Sequence, residues 1–323
     1  MLTVREARDA ILGAMSASEV ESVATGAAIG RVLRQSVVAE RDQPPFDRVM
    51  MDGIAIAFGD YQAGARQFPI QSTQAAGDQQ QSLENDHCIE IMTGASLPKG
   101  ADCIIPVERI SIADGAASLE DGYAPEAGQF IHPQGSDHRK GSTLLAAGKR
   151  ISPMDIAIIS SCGLSDVDVS STPAIRVIST GSELVPAGEA IESHQVRLSN
   201  GPAVIAMLQQ HGYTDCEHDH LADDPELLTS RIAAHLDAAD ALILSGGVSM
   251  GKADYVPQVL RDLGVEVVFH KISQRPGKPM WFGVGPAGQS VFALPGNPVS
   301  TLVCCRQYVL PALAHASGMR MSR

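Results

Sequence analysis

Aromatic residues make up only 4% of the 323 residues, and basic residues are outnumbered enough to leave a formal net charge of −13. Few aromatics mean few platforms for stacking bases. An acidic surface repels phosphate backbones and anionic lipids, which argues against nucleic-acid and membrane partners. An anion site in such a chain must be locally basic or built from backbone donors. No apolar run reaches the roughly 18 residues that span a bilayer. Residues 1–15 carry charges throughout, unlike a secretory leader. The expected location is cytoplasmic. The six cysteines form no C-x-x-C pair and sit among apolar neighbours, so buried free thiols are expected. The ten histidines include no HExxH spacing, and His218-Asp219-His220 reads as a surface strand rather than a zinc site.

What is present is an ordinary globular composition, 44% hydrophobic and 19% charged, in a chain long enough for two or more domains. Thr3 and Glu6 form a capping-box pattern, which predicts a helix to about Met15. From there to Gly148 the chain reads as short strands punctuated by Gly and Pro, among them 37–39, 54–57, 90–92 and 103–107. On local pattern Asp52, before Gly53, is a turn residue, and Thr93-Gly94 a turn between strands. Ser152-Pro153 opens a helix to about Cys162, and 170–173 reads as a linker.

Past that linker strands and helices alternate. Strands are expected at 174–179, 213–217, 241–244, 265–272, 280–284 and 291–294. Helices are expected at 202–211, 225–238, 256–263 and 299–315. This rhythm predicts an α/β fold with a mainly parallel sheet, in which ligands bind at the carboxyl edge of the strands. Four strands there end in polar, glycine-rich loops: Thr180–Glu183, Ser245–Gly247, Gln274–Pro279 and Pro295–Pro298.

These loops carry the candidate chemistry. Gly246 and Gly247 follow a buried strand, and without Cβ atoms their backbone can approach a phosphate closely. Arg275 and Lys278 lie in a proline-bounded loop and suit an oxyanion. Asp52, Glu183, Asp223 and Asp254 are candidates for a hard divalent cation such as Mg²⁺, although Asp254 also reads as a first-turn helix carboxylate. Gly247-Val248-Ser249-Met250-Gly251 also matches the G-x-S-x-G elbow of serine hydrolases. However, His270 and His315 fall inside a predicted strand and helix, where a triad histidine is not expected.

Taken together, several stretches resemble the molybdopterin molybdenumtransferase family, the molybdenum-insertion enzymes related to the gephyrin E domain. They are PPFDRVMMDGIAI (44–56), IMTGASLPKGAD (91–102), STGSEL (179–184), SNG (199–201), LSGGVSMGKADYV (244–256), RPGKP (275–279) and ALPGNPVS (293–300). The resemblance implies an elongated β-rich region with an inserted subdomain over 1–172 and a molybdopterin-binding α/β domain over 173–323. The family's small C-terminal β domain is expected to be absent, since the sequence ends at Arg323. The substrates it implies are adenylyl-molybdopterin and molybdate, with AMP released, in a homodimer whose active sites are shared between subunits. It places Mg²⁺ on Glu183, Asp223 and Asp254, and molybdate or phosphate oxygens on Arg275 and Lys278. It puts the pterin phosphate against Gly246, Gly247, Ser249, Pro295, Gly296, Asn297 and Ser300. Asp52 and Thr93 would reach into the partner's cleft. Val49, Ile54, Ser182 and Arg275 stand where the family more often has Ser, Tyr, Asp and Lys. A non-catalytic molybdopterin carrier is the alternative of a different class, and an adenylyltransferase acting on molybdopterin a third reading.

Overall fold

A computed structural model describes residues 1–247 and 255–320. By contacts the chain divides into two compact units, one formed by Met1–Ser36 with the residues from Ala146 onward, the other by Val37–Leu145.

The chain opens with helix α1 (Val4–Ala14), whose capping box is closed on both sides. The Thr3 hydroxyl accepts from the Glu6 amide at 3.3 Å, and the Glu6 carboxylate accepts from the Thr3 amide at 2.8 Å. Two orphan donors of the first turn are thereby satisfied.

The second unit holds strands β1 (Gly53–Ile56), β2 (Gln67–Gln74), β3 (Cys88–Ile91), β4 (Cys103–Pro106), β5 (Ile110–Ala113) and β6 (Ala116–Leu119). They form one sheet in the order β4-β1-β3-β2-β6-β5. All its pairings are antiparallel except β2 with β3. Strand β1 is buried along its whole length and alternates between two clusters. Ile54 and Ile56 face Phe68 and Ile105, while Ala55 faces Val49, Ile91 and Ile104. Val49 and Ile54 thus occupy dry positions, 1% and 0% exposed, where an apolar side chain adds roughly 1.5–3 kcal/mol of burial.

In the first unit, helix α2 (Pro153–Ser161) begins as the Ser152-Pro153 signal predicts. The expected linker at 170–173 starts later than predicted. Ser170 closes a strand, Asp166–Ser170, paired antiparallel with Val20–Ala24. The alternation of buried Val167 and Val169 with polar residues explains it.

Then follow β7 (Ile175–Thr180), α3 (Asn200–Gln210), β8 (Cys216–Leu221), α4 (Pro225–Ala238), β9 (Ala241–Ser245), α5 (Val256–Asp262), β10 (Glu266–His270), β11 (Trp281–Val284), β12 (Ser290–Leu294), α6 (Pro298–Cys304) and α7 (Leu310–Ala316). The sheet order is β8-β7-β9-β12-β11-β10. Its first four strands are parallel; β11 runs against β12, and β10 against β11. Two reversals return β10 to the common direction, so its C-terminal end lies at the same edge as those of β7, β9 and β12.

Both faces of this sheet are buried, as a parallel sheet requires. Along β9, Ala241 and Ile243 join α1, α3 and the C-terminal helices, while Leu242 and Leu244 join α4 and α5. The result is three layers, helix on sheet on helix. Two further expectations need correction. The strand expected at 213–217 is Cys216–Leu221, and Tyr213 packs into the core ahead of it. The helix expected at 299–315 is interrupted by a π-turn, Cys305–Val309. Pro311 has no amide proton to continue the regular ladder there.

Candidate functional site

The strand ends set the site. β7 and β9 finish level, Ser179 beside Ser245, and β9 and β12 finish level, Ser245 beside Leu294. Their loops enclose a cavity of about 550 Å³ at the carboxyl edge, lined by Glu183, Asp223, Gly246, Gly247, Pro295 and Gly296 among others. Gly246 takes φ +101°, and a Cβ there would lie 2.5 Å from the Thr180 carbonyl oxygen. Only glycine permits so close a passage of one strand end past the next.

Asn200, at the start of α3, ties these loops together. Its Nδ2 donates to Ser245 Oγ at 2.9 Å and to the Gly296 carbonyl at 2.8 Å. A carbonyl can only accept, so the amide orientation is fixed. Asn200 was not singled out from the sequence, although it lies in the SNG stretch. Its partners are distant along the chain, and only the fold brings them together.

Glu183 and Asp223 supply the negative charge. The Asp223 carboxylate accepts from the Ser182 amide at 3.1 Å, and the Ser182 hydroxyl accepts from the Asp223 amide at 3.0 Å. This reciprocal pair locks the two loops and fixes the carboxylate at the cavity wall. Among the described residues the positive charge in the lining is Arg197, whose guanidinium donates to the Pro186 and Glu189 carbonyls.

The other expected residues stand elsewhere. Arg275 and Lys278 are exposed, and neither lines the cavity, although Pro279 does. Among the described residues neither cation is in an ion pair. Asn297 caps α6, its Oδ1 accepting from the Ser300 amide at 3.3 Å, and Ser300 is buried beneath it. Ser249 and Asp254 lie outside the described residues. Asp52 and Thr93 meet in the other unit, where β1 pairs with β3. One oxygen of Asp52 accepts from both the amide and the hydroxyl of Thr93, each at 2.6 Å. The Thr93 hydroxyl, then its amide, hold the Asp52 carboxyl below its usual range. Asp52 is therefore a fixed carboxylate rather than only a turn residue.

Each member of His218-Asp219-His220 has a partner in the protein. His218 Nε2 meets Ser179 Oγ at 3.0 Å, His220 Nε2 meets the Gly181 carbonyl at 2.9 Å, and Asp219 pairs with Arg231 and His235. The cysteines are free thiols, and all but Cys216 are buried. Burial pushes the thiols of Cys304 and Cys305 up to about 12. Among the described residues no group of three or more His, Cys, Asp or Glu is arranged to hold a metal, and no helix is long and apolar enough to cross a membrane.

A doubly covered parallel sheet with a glycine-lined, carboxylate-bearing cavity at its carboxyl edge is the architecture of a phosphate-ligand α/β domain. Residues 176–315 match the model of a probable molybdopterin binding domain, and residues 2–163 that of the MoeA N-terminal region, domains I and II. The class is therefore a molybdopterin-binding α/β protein with a MoeA-type N-terminal region. Among curated relatives is a molybdopterin molybdenumtransferase of Synechocystis, 42% identical over 87% of this chain and 73% of its own length. Another, from Staphylococcus aureus strain Mu50, is 30% identical over 98% of this chain and 76% of its own. Of solved structures, the molybdopterin biosynthesis MoeA protein of Pyrococcus horikoshii superposes with a TM-score of 0.83 at 29% identity, covering 98% of this chain and 80% of the other. The chain belongs to the molybdopterin molybdenumtransferase family.

Proposed function

We propose that the protein inserts molybdenum from molybdate into adenylyl-molybdopterin in molybdenum cofactor biosynthesis and releases AMP. The observation that carries this reading is the placement of Glu183 and Asp223 with the Gly246-Gly247 turn in one cavity, in a chain of this family. Cleaving a phosphoanhydride leaves negative charge on both halves, and that charge must be neutralised where it develops. Among the described residues, the side chains of the lining that could ligate a metal do so through oxygen, and two of them are the carboxylates of Glu183 and Asp223. That set suits Mg²⁺, which is commonly held by one or two carboxylates together with substrate phosphates. Glu183 and Asp223 would hold it, with Asp254 as the third proposed ligand. When bound it would offset phosphate charge.

The remaining roles fall to the chain itself. The backbone of the Gly246-Gly247 turn and of Pro295-Gly296 receives the phosphate-bearing end of the substrate, and Asn200 keeps those two loops in register. Asn297 and Ser300 support that contact through the helix cap. Arg275 and Lys278, which form no ion pair among the described residues and share their loop with the cavity residue Pro279, attract the molybdate oxyanion. Asp52 and Thr93 complete the site of a second copy in a homodimer, and residues 1–172 and 173–323 are the two functional halves. The cytoplasm is the proposed location.

The test is AMP release from adenylyl-molybdopterin by the purified protein, with molybdate and Mg²⁺ varied independently. Release that requires both is expected. Tight substrate binding with no AMP released would overturn the transferase reading in favour of a carrier.

A further inference from the structure

The loop that carries Arg275 and Lys278 is exposed, yet it is tethered from beneath by Gln274 and Tyr308, neither of which lines the cavity at the carboxyl edge. Gln274 Nε2 donates to the Pro276 carbonyl at 2.8 Å, inside the loop. The Tyr308 hydroxyl donates to Gln274 Oε1 at 2.6 Å. Pro276 offers a carbonyl that can only accept, and Tyr308, 1% exposed, offers its proton. Burial pushes the phenol up to about 12, so it keeps that proton at any physiological pH. The two bonds therefore fix both ends of one amide.

A second contact supports the same loop. A Cβ on Gly277 would lie 2.7 Å from Cys304 Sγ and 2.7 Å from Gln274 Nε2, so the loop backbone rests directly on α6 and on the amide. Tyr308 projects from the π-turn that interrupts the C-terminal helices. The extra residue in that turn shifts which side chains face the loop.

We propose that Gln274 and Tyr308 are positioning residues that hold the Arg275 and Lys278 cations in place for the molybdate oxyanion. The inference rests on the oxyanion reading of that loop given above. An untethered loop must be ordered when the anion binds, and that entropy appears as weaker binding. Removing one tether, a single net hydrogen bond, therefore costs affinity for molybdate and little else.

The experiment measures AMP release against molybdate concentration for the full chain and for Tyr308→Phe, Gln274→Met and Lys278→Ala. Tyr308→Phe and Gln274→Met should each raise the KM for molybdate about three- to tenfold, with kcat and the KM for adenylyl-molybdopterin within about twofold of the parent. Lys278→Ala should raise the KM for molybdate further. Tyr308 is a core residue, so Gln274→Met, at a half-buried position, keeps the test decisive if Tyr308→Phe does not fold. If Lys278→Ala raises the KM for molybdate but the two tether variants do not, the positioning role is wrong and the oxyanion loop stands. A uniform fall in kcat with both KM values unchanged in the tether variants also overturns it. If Lys278→Ala leaves the molybdate response unaltered, the oxyanion reading fails, and this inference fails with it.

Discussion

The two six-stranded sheets of this chain place polar residues by opposite means. In the α/β unit, β7, β9 and β12 run in one direction and end level, so loops distant in sequence collect at one edge and enclose a cavity. In the other unit β1 and β3 run antiparallel, and Gly53 faces Ile91. That register sets Asp52 beside Thr93 just beyond the pair, where the two bond directly. A parallel sheet builds a concave site from many loops, whereas an antiparallel pair builds a single rigid contact from two turns. Glu183 and Asp223 belong to the first kind, Asp52 to the second.

The largest effect is expected where charge neutralisation is concentrated. Asp223→Asn and Glu183→Gln keep side-chain shape but remove the carboxylate charge. Each should lower AMP release by about a thousandfold, or ~4 kcal/mol of barrier. Neither group is buried, so thermal unfolding should change little. An undiminished rate in both variants would separate the cavity from the chemistry and remove the first half of the comparison.

The antiparallel contact should respond in stability instead. Gly53 has φ +155°, and a Cβ there would lie 1.9 Å from the Ile105 carbonyl oxygen, in the backbone of the neighbouring strand. Gly53→Ala must push β1 away from β4 and should destabilise Val37–Leu145 by about 3 kcal/mol. Calorimetry with the two units followed separately would show it. A transition left at its original temperature would mean that the register beside Asp52 tolerates strain, and that the rigid-contact view is wrong.

The same contrast explains what the sequence could reveal. Alternating strands and helices after residue 173 announced the parallel sheet, because most of the buried strands are short apolar runs and helices such as α4 and α6 open on a capping residue followed by proline. The helix expected from residue 225 begins there as α4, and Asp224 caps it, its Oδ1 accepting from the Leu227 amide at 2.8 Å. The glycine loops at the strand ends were legible for the same reason. Asp52 read locally as a turn residue, because its partner Thr93 is 41 residues away and only strand register joins them. Asn200 went unassigned because its bonds span 45 and 96 residues. The break in the last helix had one signal, Pro311, which a long apolar run concealed. Short-range pattern reveals elements and their ends; contacts that depend on pairing or on sheet order appear only with the fold.

The smallest expected effect isolates the Asp52–Thr93 contact from everything around it. Thr93→Val removes the hydroxyl, the larger of the two influences that lower the Asp52 carboxyl, and leaves the amide in place. The carboxyl should move upward toward its ordinary value near 3.8, which carboxyl-carbon NMR of the labelled protein can follow. A carboxyl lowered in the folded state favours folding above its unfolded value, and that contribution is lost as pH falls through the folded value. Thr93→Val should therefore lower stability slightly at neutral pH, by a difference that disappears as pH falls through the folded value, and the loss should be small because the pair is exposed to water. An Asp52 carboxyl that titrates as in the parent would show that the amide alone fixes the charge. The contact would then be a property of the β3 turn backbone, open to any residue at position 93.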